Sequence, residues 1–290
     1  MLAPAVAHAQ ACCAGSSALT PGRLAMHEDF LAGATVRGGV AFGSTDGRGH
    51  YATNADGSRE LDFEQDVFGA ARILHRGQLA LLVPFVETHR ATRTSGAETG
   101  GGIGDVNVAA RWDFLTAGES SVVPGIGLLA GLTMPTGRPP EDADTRLATG
   151  ATGIGAFQVN GGLALEQSFG PWLVNLTGVV AKRTARTVGD LHSTLGTQLT
   201  LLAGVVYVFP NDVSLAGIVS YSYEGDATVS GQNASDSGRR LLRTSAAFAL
   251  PLGDRLRLQG SLFFDPPVVH VDQNQLTTVG ATFGVIVSWS

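Results

Sequence analysis

Residues 100–115, GGGIGDVNVAARWDFL, alternate with a period of two. Val106, Val108, Ala110, Trp112 and Phe114 fall on one side of an extended chain, and Asp105, Asn107, Ala109, Arg111 and Asp113 on the other. Such a segment is a strand with one nonpolar face and one charged face. The period recurs along the chain. In LDFEQDVFGAARI, Leu61, Phe63, Val67, Ala71 and Ile73 oppose Asp62, Glu64, Asp66 and Arg72. In FQVNGGLALEQ, Phe157, Val159, Leu163 and Leu165 oppose Gln158, Asn160 and Glu166. In RLRLQGSLFF, Leu256, Leu258, Leu262 and Phe264 oppose Arg255, Arg257, Gln259 and Ser261. The final TTVGATFGVIVSWS sets Val279, Ala281, Phe283, Val285, Val287 and Trp289 against Thr, Gly and Ser. The fold class is all-β and antiparallel.

Composition says which medium meets the nonpolar face. Only 15% of the 290 residues are charged, against roughly 25% in an average soluble domain. The 39 glycines suit tight turns and close backbone packing better than long helices. A net charge of -6 and a pI near 5.6 exclude a nucleic-acid surface, which needs a basic stripe. No stretch reaches the roughly 18 apolar residues of a membrane-spanning helix, but barrel strands need only about 9 to 11.

The pattern predicts about twelve strands, near 24–43, 60–74, 77–93, 103–115, 121–135, 153–168, 171–184, 195–209, 212–225, 239–251, 254–265 and 277–290. Short links carrying Gly, Pro or Asp fall at 75–78, 116–120, 168–171, 209–212 and 251–254. Long polar loops at 44–59, 94–102, 136–152, 185–194, 226–238 and 266–276 alternate with them. Short periplasmic turns, long extracellular loops and an even strand count define a transmembrane β-barrel of a Gram-negative outer membrane. The aromatics form two bands on the nonpolar phase. Trp112, Phe114, Trp172, Tyr207, Phe209 and Trp289 lie near the short-turn end, and Phe63, Phe157, Tyr221, Tyr223 and Phe264 near the long-loop end. Aromatic girdles at both interfaces are what a lipid-facing exterior requires. The nonpolar face is therefore expected outside and the charged face inside.

The N-terminal MLAPAVAHAQACCAG is small and apolar, with Ala7-His8-Ala9 and Ala9-Gln10-Ala11 fitting signal-peptide cleavage. We expect residues 1–11 to be the end of an export signal, 12–23 a short periplasmic or lumenal segment, and 24–290 the barrel. Cys12 and Cys13, the only cysteines, build neither a disulfide framework nor a four-ligand zinc site, and a lipid anchor on Cys12 stays open.

Two motifs carry a resemblance. GGGIGDVNVAARWDFL, with its Gly-rich lead and Gly-Asp, is followed by PGIGLLAGLTMPTG (124–137), which ends in Pro-Thr-Gly before a loop. Together they resemble the outer-membrane family named for the "MetA-pathway of phenol degradation", grouped loosely with the long-chain fatty-acid transporters. The resemblance covers the chain from about residue 20. It implies a monomeric barrel for passive uptake of small molecules, hydrophobic or aromatic compounds among them. The fatty-acid transporters carry a longer N-terminal plug with an Asn-Pro-Ala motif, absent from residues 12–23 here. Many outer-membrane barrels end in an aromatic residue, whereas here Ser290 follows Trp289.

The expected lumen lining is Asp62, Glu64, Asp66, Arg72, Asp105, Asn107, Arg111, Asp113, Gln158, Glu166, Arg243, Arg255 and Arg257. The early strands supply acids and the late strands arginines, so opposite charges are expected to face each other across the interior. Two readings stand: a split-charge constriction in a wet channel, or a network with Arg72 and Arg111 that seals the barrel. Neither a cofactor nor a metal is expected, although TNADGS (53–58) and EDADT (141–145) offer oxygens of the calcium-binding kind. No enzyme is expected, because His50, His192 beside Ser193, and His270 sit in no catalytic motif. The expected partners are outer-membrane lipid and lipopolysaccharide, a small solute and the barrel-assembly machinery. A sealed barrel presenting its loops, or a soluble secreted β-sandwich, are the alternatives.

Overall fold

A computed structural model describes residues 22–290 apart from 56, 121, 189, 190 and 270. The export-signal expectation for 1–11, the cysteine pair and His270 lie outside the described residues, as does most of segment 12–23. The wall strands are β1 (Phe30–Thr45), β2 (Arg59–Ile73), β3 (Gly77–Thr92), β4 (Val106–Leu115), β5 (Gly125–Met134) and β6 (Gln158–Phe169). They continue with β7 (Trp172–Arg183), β8 (Gln198–Val208), β9 (Ser214–Glu224), β10 (Arg239–Leu252), β11 (Leu256–Phe264) and β12 (Gln275–Trp289). Each pairs antiparallel with the next, and β12 closes on β1 from Phe30 opposite Trp289 to Thr45 opposite Gln275. The architecture is an all-β, twelve-stranded closed antiparallel barrel, not a sandwich. Closure pairs the edges that hydrocarbon would leave without partners.

The nonpolar ladder of each strand points outward. Val205 is 44% exposed while its neighbour Val206 is 0% exposed, and the same contrast separates Leu163 from Ala164 and Val180 from Val179. Exposed Val, Leu, Ile and Phe around a closed ring have one suitable solvent, the acyl chains of a bilayer.

The turns at one end are tight. Gly170, between Phe169 and Trp172, has φ 57, and Gly253 in the β10–β11 turn has φ 78; an L side chain takes either only with strain. The opposite end is more structured than the sequence suggests. Residues 94–102, expected as loop, contribute the strand Gly96–Ile103, which pairs with the upper half of β3. The loops at 185–194 and 226–238 form a second four-stranded sheet from Arg186–Val188, Leu191–Thr194, Thr228–Val229 and Gln232–Asn233.

Three strands begin four or more residues later than the alternation indicates. β1 starts at Phe30 rather than 24, because the chain turns at residues 25–28, at the barrel end, and leads back inside to Leu24, which packs against Leu31, Phe68, Ala70, Ala80, Leu82 and Ile286. β5 starts at Gly125, after Pro124, which has no N–H for the ladder. β6 starts at Gln158 because the preceding backbone is tied down by Asp105.

Candidate functional site: the barrel lumen

The lower lumen holds Gly22 to Leu24 and the inward-pointing Glu28, and the chain rejoins the wall at Asp29, whose N–H donates to the Trp289 carbonyl. The Leu24 N–H donates to Gln78 Oε1 at 3.1 Å, and Gln78 Nε2 donates back to the Gly22 carbonyl at 3.3 Å. Arg72, a residue expected in the lumen, donates to the carbonyls of Ala25 and Glu28 and so anchors the segment to β2. Glu28 pairs with Arg257 of β11 at 3.0 Å. Arg23 reaches across to Glu166 of β6. Glu166 is also 3.1 Å from Arg111, which in turn lies 2.8 Å from Asp113. The segment thus bridges β2, β3, β6 and β11.

The upper lumen is lined by further pairs. Arg37 binds Glu64 and Arg90 binds Glu60, the latter at 2.7 Å. Asp66 accepts from Thr35 at 3.1 Å, and Asp62 from Thr88 at 3.0 Å. Asn107 donates to Thr133 at 2.9 Å. Arg183 joins Gln158, Gln198 and Glu224 at 2.8, 2.9 and 2.7 Å. Arg243 clasps Asp265 with Nε and Nη2 at 2.7 and 2.9 Å.

These contacts correct the split-charge expectation. Most charges pair with a neighbouring strand or with the 22–29 segment rather than across the cavity, although Asp62 of β2 and Arg243 of β10 still line one cavity together. Cross-strand neighbours sit about 5 Å apart, and in a low-dielectric surround a nearby counter-charge outweighs a distant one. Two further residues are corrected in place. Arg255 lies in the turn before β11 with an exposed side chain, at the rim rather than in the lumen. Asp105, at the step between Gly96–Ile103 and β4, accepts the backbone N–H groups of Gly137 and Ile154 at 2.9 and 2.7 Å and so clamps the long β5–β6 loop.

Alternation also left part of the inner wall unread. On β7–β10 it is nonpolar: Leu173, Leu202, Val206, Val208, Ala216, Ile218, Ala247 and Ala249 form one buried cluster. Arg23, Glu28, Arg37, Phe263 and Asp265 were missed as well. Phe263 was legible, since it follows Arg257, Gln259 and Ser261 at period two onto the inner face.

Phe63, Trp112, Phe114, Phe157, Trp172, Phe209, Tyr223, Phe264 and Trp289 are exposed, and Tyr207 and Tyr221 are half-buried. At the short-turn end Trp172 meets Tyr207, and Tyr207 meets Phe209, each with ring centroids 4.8 Å apart; Phe30 packs on Trp289 at 5.4 Å. At the other end Phe42 stacks on Phe264 at 5.8 Å. On the outer face, near the step at Gly104 and Asp105, a surface hollow of about 460 Å³ is lined by Gln65, Phe85, Val86, Glu87, Thr99 and glycines 100–102.

Among the histidines, His50 contacts Asp46 at 3.2 Å, His89 contacts Thr99 at 2.7 Å and His192 contacts Thr187 at 3.3 Å. Within EDADT, Glu141 pairs with Arg186 and Asp144 with Arg138, both at 3.0 Å.

A closed twelve-stranded cylinder with an apolar, aromatic-banded exterior and a polar and ion-paired interior defines an outer-membrane β-barrel. Residues 33–266 match the family described as "Putative MetA-pathway of phenol degradation", and the chain belongs to that family. The fold is similar to that of an outer membrane channel from Pseudomonas putida F1, with a TM-score of 0.75 at 15% identity over 92% of this chain and 97% of that one. Lesser likenesses are to the transport unit of the autotransporter AIDA-I from Escherichia coli (TM-score 0.46, 9% identity, 94% and 96% covered) and to the CymD monoaromatic hydrocarbon channel (0.43, 9%, 91% and 89%). No curated protein sequence matches.

Proposed function

We propose that the protein is a monomeric channel for passive uptake of small hydrophobic molecules, aromatic compounds among them, across the outer membrane. The observation that carries this reading is the two-sided lumen. A nonpolar wall on β7–β10 stands within the same barrel as the ion-paired wall of β1–β4. A nonpolar solute that parts this closely packed cluster meets aliphatic side chains rather than charged groups, whereas a general porin is wetted on every side. The family description and the channel function of the Pseudomonas putida protein agree with it. Closure by the chain's own first and last strands supports a monomer.

In this reading the 22–29 segment is the barrier, because its contacts with Gln78, Glu166 and Arg257 lie across the lower lumen. The test is uptake of toluene and of a sugar of similar size into proteoliposomes. The wild type is expected to pass toluene faster than the sugar, and the double variant Arg23→Ala, Glu28→Ala to pass both faster than the wild type. Absence of flux above empty liposomes in both proteins rejects the channel. The same outcome favours the sealed barrel, for which the chain Arg23–Glu166–Arg111–Asp113 is the supporting observation.

A further inference from the structure

The outward ladder of β2 and β3 changes character from the bilayer to the long loops. Its cross-strand pairs run Val67 with Val83, Gln65 with Phe85, Phe63 with Glu87, Leu61 with His89 and Arg59 with Ala91. Arg93 follows in the turn after β3. We propose that this strip binds the lipid A part of lipopolysaccharide, with a phosphate held between Arg59 and Arg93. The proposal needs the barrel and its orientation in the membrane, and it stands whether or not the lumen conducts.

The two arginines set the charge. Both are exposed, and among the described residues no hydrogen bond or ion pair engages either guanidinium. Their neighbours differ, since Arg90 is held by Glu60 and Arg146 by Glu98. Arg59 and Arg93 share one corner, because Arg59 pairs with Ala91 and a Cβ on Gly57 would meet the Arg93 Cβ at 3.7 Å. Diagonal neighbours on adjacent strands are within reach of long side chains, and like charges so placed repel. An anion between them removes the repulsion. Phosphate suits two arginines, because each guanidinium offers paired N–H donors to its oxygens.

Depth selects a lipid over a free ion. Below the arginines on the same ladder stand Phe63, of the aromatic band at the long-loop end, and then Val67 and Val83. Arg59 and Arg93 are thus at the level of the outer-leaflet headgroups. Between them and the hydrocarbon, Glu87 and Gln65 interrupt the nonpolar face and line the hollow of about 460 Å³ together with Phe85 and Val86. Glu87 lies opposite Phe63, which at about 3.3 Å per residue puts it about 13 Å along the strand from Arg59, too far to pair with it. An ester-linked phospholipid has no donor below its phosphate. Lipid A carries its phosphates on amino sugars, whose amide N–H groups and acyl hydroxyls lie just beneath and are donors for Glu87 and Gln65. Its acyl chains then continue over Phe85 and Val67. One ligand accounts for both departures of this strip from a nonpolar face.

The test is native mass spectrometry of the full-length protein in detergent, titrated with lipid A, lipid A stripped of phosphate, phosphatidylglycerol and inorganic phosphate. The wild type is expected to retain lipid A about tenfold or more tighter than the stripped form, the usual effect of charge-assisted hydrogen bonds, and tighter than phosphatidylglycerol. Arg59→Ala combined with Arg93→Ala is expected to bind both forms of lipid A alike. Glu87→Leu is expected to weaken both forms and keep the preference. Lys182→Ala, which removes an exposed cation from the long-loop end of β7, is expected to change neither. Equal retention of the two forms by the wild type, an undiminished preference in the double variant, or an equal loss in Lys182→Ala overturns the proposal. So does phosphatidylglycerol bound as tightly as lipid A, or inorganic phosphate that displaces lipid A at equal concentration. If the double alanine variant fails to fold, as judged by its gel shift on boiling, Arg59→Gln with Arg93→Gln decides by the same comparison.

Discussion

The carboxylate of Asp105 accepts the backbone N–H of Gly137 at 2.9 Å across 32 residues of sequence. The bond joins the two Gly-rich motifs, and a second contact runs alongside it: Thr136 donates its hydroxyl to the Gly104 carbonyl at 2.7 Å and accepts the Val106 N–H at 3.0 Å. Gly-Asp and Pro-Thr-Gly are thus one device that ties the β5–β6 loop to the step in the wall. Gly153 packs so close to Asp105 that a Cβ there would collide with its carboxylate. Asp105→Ala should release the loop, with loss of about 1.5–3 kcal/mol for hydrogen bonds to a charged group. Hydrogen exchange at Gly137 and Ile154 should speed up while exchange in the β8–β9 wall stays slow; unchanged exchange would count against the clamp.

Glu166 is buried between Arg23 and Arg111, which makes it the keystone of the lower lumen. Glu166→Leu leaves two guanidiniums without their shared partner and should destabilise the barrel by about 3–5 kcal/mol. Arg23→Ala leaves the Arg111 pair in place and should cost less. Urea unfolding in detergent, read by the gel shift on boiling, ranks the two.

The loop after β1 carries the pH dependence open to a direct check. The Asp46 carboxylate is held below the usual carboxylate value, first by the His50 backbone N–H and then by that of Arg48, each at 2.8 Å. Its folded value lies below its unfolded value, so its contribution is full above the unfolded value and is lost as pH falls through the lowered folded one. Asp46 also accepts the Asn274 N–H through its carbonyl, beside the β12–β1 seam. Protection of the His50 amide should therefore persist at pH 5 and fall only below the normal carboxylate range. Asp46→Asn should remove that acid-range transition.

Glu87 and Gln65 face outward in a wall that is otherwise nonpolar there, at the hollow beside Gly104. Acidic groups on a lipid-facing ladder destabilise a barrel, by less than the roughly 2–4 kcal/mol of a midplane arginine. Glu87→Leu combined with Gln65→Leu should raise the unfolding midpoint if folding alone governs these positions. A matching drop in toluene flux would show that the hollow also carries solute.

The outer face was legible because lipid imposes one demand on every outward position from β1 to β12. Val205, Leu163 and Trp112 answer it alike, and period two reports them directly. The inner face answers several demands at once. Phe68 meets Leu24, Val206 meets other aliphatic chains and Arg183 meets Glu224, so the inward phase has no single chemistry. In LLAGVVYVFP both faces are nonpolar and alternation disappears, although the strand remains. The ties of the 22–29 segment were out of reach for another reason: Arg23 and Glu166 are 143 residues apart and Glu28 and Arg257 are 229 apart, distances over which no local pattern operates. Arg72 drew notice as a lumen residue, but nothing beside it in sequence marks its partners as the Ala25 and Glu28 carbonyls.

The whole account depends on bilayer meeting the nonpolar ladder. The chain's three tryptophans, Trp112, Trp172 and Trp289, all stand on that ladder at the short-turn end. Fluorescence quenching in vesicles made with lipids brominated at defined depths reports their surroundings directly. All three should be quenched, most strongly by bromines just below the headgroups and weakly by those at the bilayer centre. Tryptophans untouched by brominated lipid and quenched only by a water-soluble agent such as iodide would contradict it.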